Sequence, residues 1–201
     1  MRYFAALLIS LLTLAGASRL AHADGPTAKA ILAGGCFWCM EHDFRSLPGT
    51  VSVVSGYSGG SIEKPNYENY HEVSDKTPVP HTEVIELTYD TTKVSYAQVI
   101  DYYFRHVDPT DGGGQFCDRG PAYRPVIYVA NDAEKAVAEA TKAEVAKKLN
   151  APVKVEILPA KQFWPAEGYH QDYANKNPVK YNFYRWNCGR DQRVAEVWGG
   201  K

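Results

Sequence analysis

Residues 29–47 read KAILAGGCFWCMEHDFRSL. A short apolar run ends in two glycines. It passes directly into a segment with Trp38, Phe44 and Leu47 at mixed helical spacing, and Pro48-Gly49 stops it. The apolar run is a buried strand, the glycines allow a sharp turn, and the next segment is a short helix. A strand that feeds a helix in this way commits the chain to mixed α/β architecture.

The remaining segments agree. VSVVSGY (51–57), HTEVIELTYD (81–90), RPVIYVA (124–130) and VKVEILP (153–159) read as strands, the second with clean alternation. SYAQVIDYYFRHV (95–107) is an amphipathic helix with Ser95 as its N-cap, and residues 131–150 form a helix with an Asn/Asp start and lysines at its end. EGYHQDYANKNP (167–178) reads as a helical turn ended by Asn177-Pro178. The tail after it reads as coil followed by a short helix. Two long loops, 58–80 and 108–123, are polar or glycine-rich, and loops of that length in a compact domain are usually functional or mobile. With 201 residues, no internal repeat and no linker, the expectation is one α+β domain.

The first residues are read separately. Arg2, the apolar run 3–17 and the small-x-small AHA at 21–23 are the marks of a Sec-type signal peptide cleaved after Ala23. The run is short for a spanning helix, and no later run is long and apolar enough to cross a bilayer. Residues 24–201 are then the domain, exported, with the periplasm as the expected location. Removing 1–23 takes away Arg2 and Arg19 and no acid, which leaves 20 basic and 23 acidic residues and a formal charge of −3. There is no polybasic segment and no heptad seam, so nucleic acid, a membrane surface and a coiled coil are not indicated.

Four cysteines, Cys36, Cys39, Cys117 and Cys188, remain in that domain. An even count in an exported chain first suggests two disulfides, but disulfide scaffolds are denser in cysteine and this core needs no staples. Weight therefore moves to catalytic or redox cysteine. Cys36 lies at a strand-to-helix junction, where unpaired N–H groups and the helix dipole lower a thiol pKa. The plainer reading is a buried cysteine acting as a small hydrophobe. Phe37 and Trp38 are either core aromatics or the wall of a space beside that thiol, suited to a methyl group or a sulfur atom. Glu83 points the same way as Ile85 and Leu87. A buried face there gives a carboxyl with a raised pKa, an edge strand gives a charge facing water. Cys117, Asp118, Arg119 and Tyr123 share one tight loop, Tyr67 and Tyr70 the other, and their polar groups could converge on a pocket. A structural zinc would need a second close cysteine pair, which is missing. A cysteine protease pairing Cys36 with His170 leaves the aromatics and the other cysteines unexplained.

GCFWCME, GYSGG, HTEVIELTYD, HVDPTD, YRPVIY and YHQDY…KNP occur in an order and spacing that resemble the peptide methionine sulfoxide reductase A family, over residues 30 to 190. The resemblance implies a mixed-sheet α/β sandwich with a ferredoxin-like core, long polar loops and an irregular C-terminal tail. It implies reduction of the S epimer of methionine sulfoxide, free or in proteins. Cys36 would be the nucleophile and Glu83 the acid that protonates the sulfoxide oxygen. Phe37 and Trp38 would hold the S-methyl group, and Tyr70, Asp118 and Tyr123 would surround the oxygen and the substrate backbone. A sulfenic acid on Cys36 would be resolved by a second thiol, and the disulfide reduced by a thioredoxin-like dithiol protein, with no bound cofactor or metal and with a monomeric enzyme.

The chain departs from the family at its other cysteines. Many members have glycine at Cys39, keep resolving cysteines in a glycine-rich tail, and lack Cys117. Cys188 ranks first as resolving thiol because a tail can reach, Cys117 second because it adjoins Asp118, and Cys39 third because a disulfide inside a helical turn is strained. A structural Cys117–Cys188 bridge is the alternative. Two other functions stay in view: a general thiol–disulfide oxidoreductase using Cys36 and Cys39, and a secreted binding domain with two structural disulfides.

Overall fold

The computed structural model describes residues 25–199. The expected signal peptide over 1–23 lies outside the described residues. In chain order the elements are β1 (Thr27–Ala33), α1 (Phe37–Arg45), β2 (Thr50–Ser58), β3 (Thr82–Asp90), α2 (Tyr96–Arg105), β4 (Gly114–Gln115), β5 (Asp118–Arg119), β6 (Val126–Val129), α3 (Asp132–Leu149), β7 (Glu156–Pro159), β8 (Trp164–Pro165), α4 (Tyr173–Lys176), α5 (Pro178–Asn187) and α6 (Arg190–Trp198).

Six strands form one sheet in the order β7-β6-β1-β3-β2-β8, while β4 and β5 make a separate small hairpin. Every neighbouring pair is antiparallel except β6 and β7. The central order β6-β1-β3-β2, with α1 and α2 as connections, is the ferredoxin-like arrangement expected. β1 pairs Leu32 with Ile85, and β2 pairs Tyr57 with Glu83. Glu83, Ile85 and Leu87 therefore share the face that carries the helices.

That face holds the main core. Phe37, Met40 and Phe44 of α1, and Val99, Ile100, Tyr103 and Phe104 of α2, pack on Leu32, Ile85, Leu87 and Ile127. The opposite face buries a smaller group, Ala33, Val84, Val126 and Tyr128. The expected caps form: Ser95 and Gln98 make a reciprocal capping box at α2, and Asn131 accepts from Glu134 N–H at α3. The glycines between β1 and α1 are required by close packing. A Cβ at Gly34 would lie 2.6 Å from Met40 Sδ, and Gly35 has φ +82°. Among the described residues no helix is long and apolar enough to cross a membrane.

The tail corrects the sequence reading. The short helix expected at its end is present as α6, but the coil before it is a further helix, α5, parted from α6 by Gly189 in the left-handed region. Pro178 starts α5 where its missing N–H costs nothing. Apart from Tyr181 its exposed side chains, Val179, Phe183 and Trp186, give little amphipathic contrast, which hides the helix from a periodicity argument. Arg190 pins the tail. It is 2 % exposed, donates to the carbonyls of Gly34 and His106 at 3.1 and 2.8 Å, and lies 3.3 Å from Asp43, while Arg185 meets the same Asp43 at 2.8 Å.

Candidate active site

Cys36 is the N-cap of α1, with extended backbone (φ −53°, ψ 124°), and its carbonyl accepts from the N–H groups of Cys39 and Met40. Both Cys36 and Cys39 are free thiols, 7 % and 2 % exposed, and each shifts the ionisation of the other. Cys36 opens on a cavity of about 70 Å³ that is also lined by Phe37, Trp38, Tyr67, Glu83, Asp118, Tyr123 and Tyr184. Five chain segments thus meet at one sulfur: the β1–α1 junction, β3, each of the two long loops, and the tail.

Glu83 is 3 % exposed. One carboxyl oxygen accepts the Phe37 N–H at 2.9 Å, and the other lies 3.0 Å from the Tyr70 hydroxyl, itself 3.1 Å from that of Tyr123. Burial raises the Glu83 pKa to about 8, against those two hydrogen bonds. It is therefore a proton-carrying acid at neutral pH. The loop that brings Tyr70 is tied down by His81. Its Nδ1 accepts from Gly60 N–H, its Nε2 faces the Ile62 carbonyl at 2.8 Å, and its N–H donates to the Tyr70 carbonyl.

The helix start does not lower the Cys36 pKa as expected. Burial pushes that thiol up, and the Cys39 thiol and Glu83 beside it add to the effect. The first N–H of the helix that could meet a thiolate is given to Glu83 instead. Cys39 is the more acidic partner: the hydrogen bond from Cys36 lowers it, burial opposes, and Arg190 and Arg185 support its anion. Tyr184 helps Cys36. Its hydroxyl donates to Asp118 Oδ2 at 2.5 Å and, beside the Cys36 sulfur, acts against the rise in that thiol's pKa.

Trp38 is held on three sides. Its indole N–H donates to His170 Nδ1 at 3.0 Å, Tyr173 stacks on it with centroids 3.7 Å apart, and Tyr184 meets it edge-on at 6.0 Å. His170 also packs against Phe37 and Tyr67, and burial lowers its pKa. It serves the aromatic wall and is not a partner of Cys36. The rest of its segment is a brace. Gln171 bonds both backbone groups of Ser55, and the Asp172 N–H bonds the buried carboxylate of Glu41 on α1.

All the residues singled out by sequence, Cys36, Phe37, Trp38, Glu83, Tyr70, Asp118 and Tyr123, meet at or just behind this cavity. Tyr184, His170, Tyr173 and Arg190 were not assigned site roles from sequence. The KNP-to-Cys188 segment carried the signal, in a Pro-started run with Tyr181 and Tyr184 at helical spacing. Cys188 is not free. It is bonded to Cys117, with the two Cα atoms 4.9 Å apart, as in the alternative raised above.

The family model described as Peptide methionine sulfoxide reductase matches residues 28–201. Peptide methionine sulfoxide reductase MsrA 2 of Caulobacter vibrioides is 46 % identical over 201 residues, the full length of both chains. Among solved structures, Mxr1 of Saccharomyces cerevisiae in reduced form aligns with TM-score 0.66 and 31 % identity, over 76 % of this chain and 86 % of Mxr1. Methionine sulfoxide reductase A of Corynebacterium diphtheriae aligns with TM-score 0.64 and 29 % identity, over 76 % of each chain. With the cysteine, the buried acid and the aromatic wall assembled at one cavity, and with these matches over nearly the whole domain, the chain belongs to the peptide methionine sulfoxide reductase family.

Proposed function

We propose that the protein reduces the S epimer of methionine sulfoxide to methionine through Cys36. The observation that carries this reading is a buried carboxyl, Glu83, facing the same small cavity as the Cys36 thiol, where burial favours its protonated form. A sulfoxide oxygen leaves poorly until it is protonated, and its sulfur is electron-poor. The S-methyl group lies against Phe37 and Trp38, with the oxygen toward Glu83, Tyr70 and Tyr123. Cys36 attacks sulfur as Glu83 delivers its proton to oxygen. In the resulting adduct the S–O bond breaks as the hydroxyl passes to the Cys36 sulfur, the new S–S bond breaks with its electron pair going to the substrate sulfur, and methionine leaves with Cys36 as a sulfenic acid. A raised thiol pKa does not block this sequence, because the reaction consumes a proton at oxygen and Tyr184 stabilises the thiolate.

Cys39 replaces Cys188 as the resolving thiol in this reading. Its thiol is close enough to Cys36 for each to shift the other's ionisation, and it is the more acidic of the two. The strain argument against it loses force because Cys36 is an extended N-cap rather than part of a helical turn. Attack of Cys39 on the sulfenic sulfur closes a disulfide and expels water. Reduction of that disulfide calls for an external dithiol, which we assign to a thioredoxin-like protein. Mxr1 of S. cerevisiae has been crystallised in complex with Trx2. With residues 1–23 acting as an export signal, the role is repair of oxidised proteins outside the cytoplasm, by a monomer. The test is Cys36→Ser. Sulfoxide reduction should vanish while circular dichroism and the melting curve stay close to those of the wild type. Retained reduction would end the reading.

A further inference from the structure

We propose that a groove beside the catalytic cavity is a subsite for an apolar side chain of a polypeptide substrate, two residues from the oxidised methionine. The proposal rests on the catalytic reading above and concerns the part of the substrate that stays outside the cavity.

The catalytic cavity, about 70 Å³, has room for the tip of one side chain. The rest of a peptide substrate must lie against the surface around its mouth. On one side that surface is a groove of about 500 Å³, large enough for a whole side chain. It runs between the two long loops, from Tyr67, Val73 and Pro80 of the first to Pro121 and Ala122 of the second. The two spaces are neighbours, because Tyr67 and Tyr123 line both. These tyrosines are a built wall. The Tyr67 N–H donates to Glu167 at 2.9 Å and its ring packs on His170 with centroids 4.5 Å apart, while the Tyr123 hydroxyl lies 3.1 Å from that of Tyr70.

The groove suits an apolar guest. Among the described residues no carboxylate lines it. Its one guanidinium, Arg119, is held by both oxygens of Asp111, so its charge is already paired. His71 is the other ionisable group there besides the tyrosines, and its ring meets Tyr70 edge-on with centroids 5.0 Å apart. A charged side chain would lose water in the groove and find no free partner, whereas Leu or Phe would cover apolar surface that is now wet: Val73 is 62 % exposed and Tyr67 40 %. The distance selects the residue. In an extended chain side chains alternate between faces, so the sulfoxide and the residue two away point the same way, about 7 Å apart. That interval accommodates the tyrosine wall that both spaces share, and the adjacent residues point away from the enzyme.

Capped pentapeptides test it, with dithiothreitol as reductant. Each carries alanine on both sides of methionine S-sulfoxide, and Leu or Asp two residues before or two residues after it. In one of the two series kcat/KM should be about tenfold higher for Leu than for Asp. Val73→Lys places a cation on the groove wall at an exposed position away from the reacting atoms. It should lower kcat/KM for the favoured Leu peptide, raise it about two- to fivefold for the matching Asp peptide, and leave free methionine sulfoxide unchanged. The gain on the Asp peptide is a result that a damaged fold does not give. Equal kcat/KM for Leu and Asp in both series, or a Val73→Lys variant that shifts every substrate alike or none, overturns the subsite, and wild-type turnover of free methionine sulfoxide then leaves the catalytic reading standing. Failure of the wild type to reduce any of these substrates overturns the catalytic reading and the subsite with it.

Discussion

Glu83→Gln separates chemistry from stability at a single atom. Glu83 accepts from the Tyr70 hydroxyl and from the Phe37 N–H; once protonated on the oxygen facing Tyr70, it can donate there, with the Tyr70 proton turned to Tyr123, and still accept from Phe37. Glutamine can do both, with its amide N–H toward Tyr70 and its oxygen toward Phe37. The fold should therefore keep these hydrogen bonds, while the ability to surrender a proton is gone. A general acid contributes about 10²- to 10⁴-fold, so single-turnover formation of the Cys36 sulfenic acid should slow by that order. Stability should move the other way. The folded pKa, about 8, lies above the unfolded value of 4.5, so the native state holds a proton that the unfolded chain has lost between these pH values. Wild-type stability falls as pH rises through that window. At about 1.4 kcal/mol per pH unit the full penalty is roughly 5 kcal/mol, an upper figure reached near pH 8 and absent below pH 4.5. The amide escapes it. Urea melts at pH 5 and pH 8 should show the variant gaining on the wild type as pH rises, and the wild-type rate should decline above pH 8 as the acid ionises. A variant that slows little in single turnover, or that loses stability equally at both pH values, would refute the assignment of Glu83 as a buried, protonated donor.

Two further outcomes follow from the same geometry. Cys39→Ser should still release one methionine from protein whose Cys117–Cys188 disulfide is intact, and leave a Cys36 sulfenic acid that dimedone traps; rapid loss of the sulfenic acid in fully reduced variant, with a Cys36–Cys188 bond, would return the resolving role to Cys188. His170→Phe keeps ring packing but removes the acceptor for the Trp38 indole, a hydrogen bond worth about 1 kcal/mol; KM for the sulfoxide should rise about fivefold with kcat little changed, and an unaltered KM would show that His170 does not position Trp38.

What was legible in the sequence had a local cause. The strand-glycine-cysteine-helix run, the alternation through Glu83, and the caps at Ser95 and Asn131 are settled within a few residues, and the structure keeps them. Burial of Glu83 was the open choice between two faces, and the pairing of β3 with β1 and β2 decides it. The tail was the failure. α5 buries only Tyr181 and presents Phe183 and Trp186 to solvent, so its apolar spacing gives no helical stripe. Arg190 reads as a surface charge, yet it is buried because Asp43 and two carbonyls await it from segments 84 to 156 residues away. The thiol pKa failed for a related reason. A helix dipole acts locally and can be read from position, whereas burial and the diversion of an N–H to Glu83 depend on the assembled site.

Enclosure links both halves of the cycle. Removing water from the cavity is what keeps Glu83 protonated, and a proton held there is worth far more to a departing oxygen than one in bulk water. The same enclosure raises the Cys36 thiol. Opening the site would relieve that effect, but it would also return Glu83 to the ordinary carboxylate range and discharge the acid. The chain keeps the Cys36 and Cys39 thiols buried and compensates at close range. Tyr184 supports a thiolate on Cys36, and Arg190 and Arg185 support one on Cys39. All three come from the two tail helices, so the tail is part of the active site.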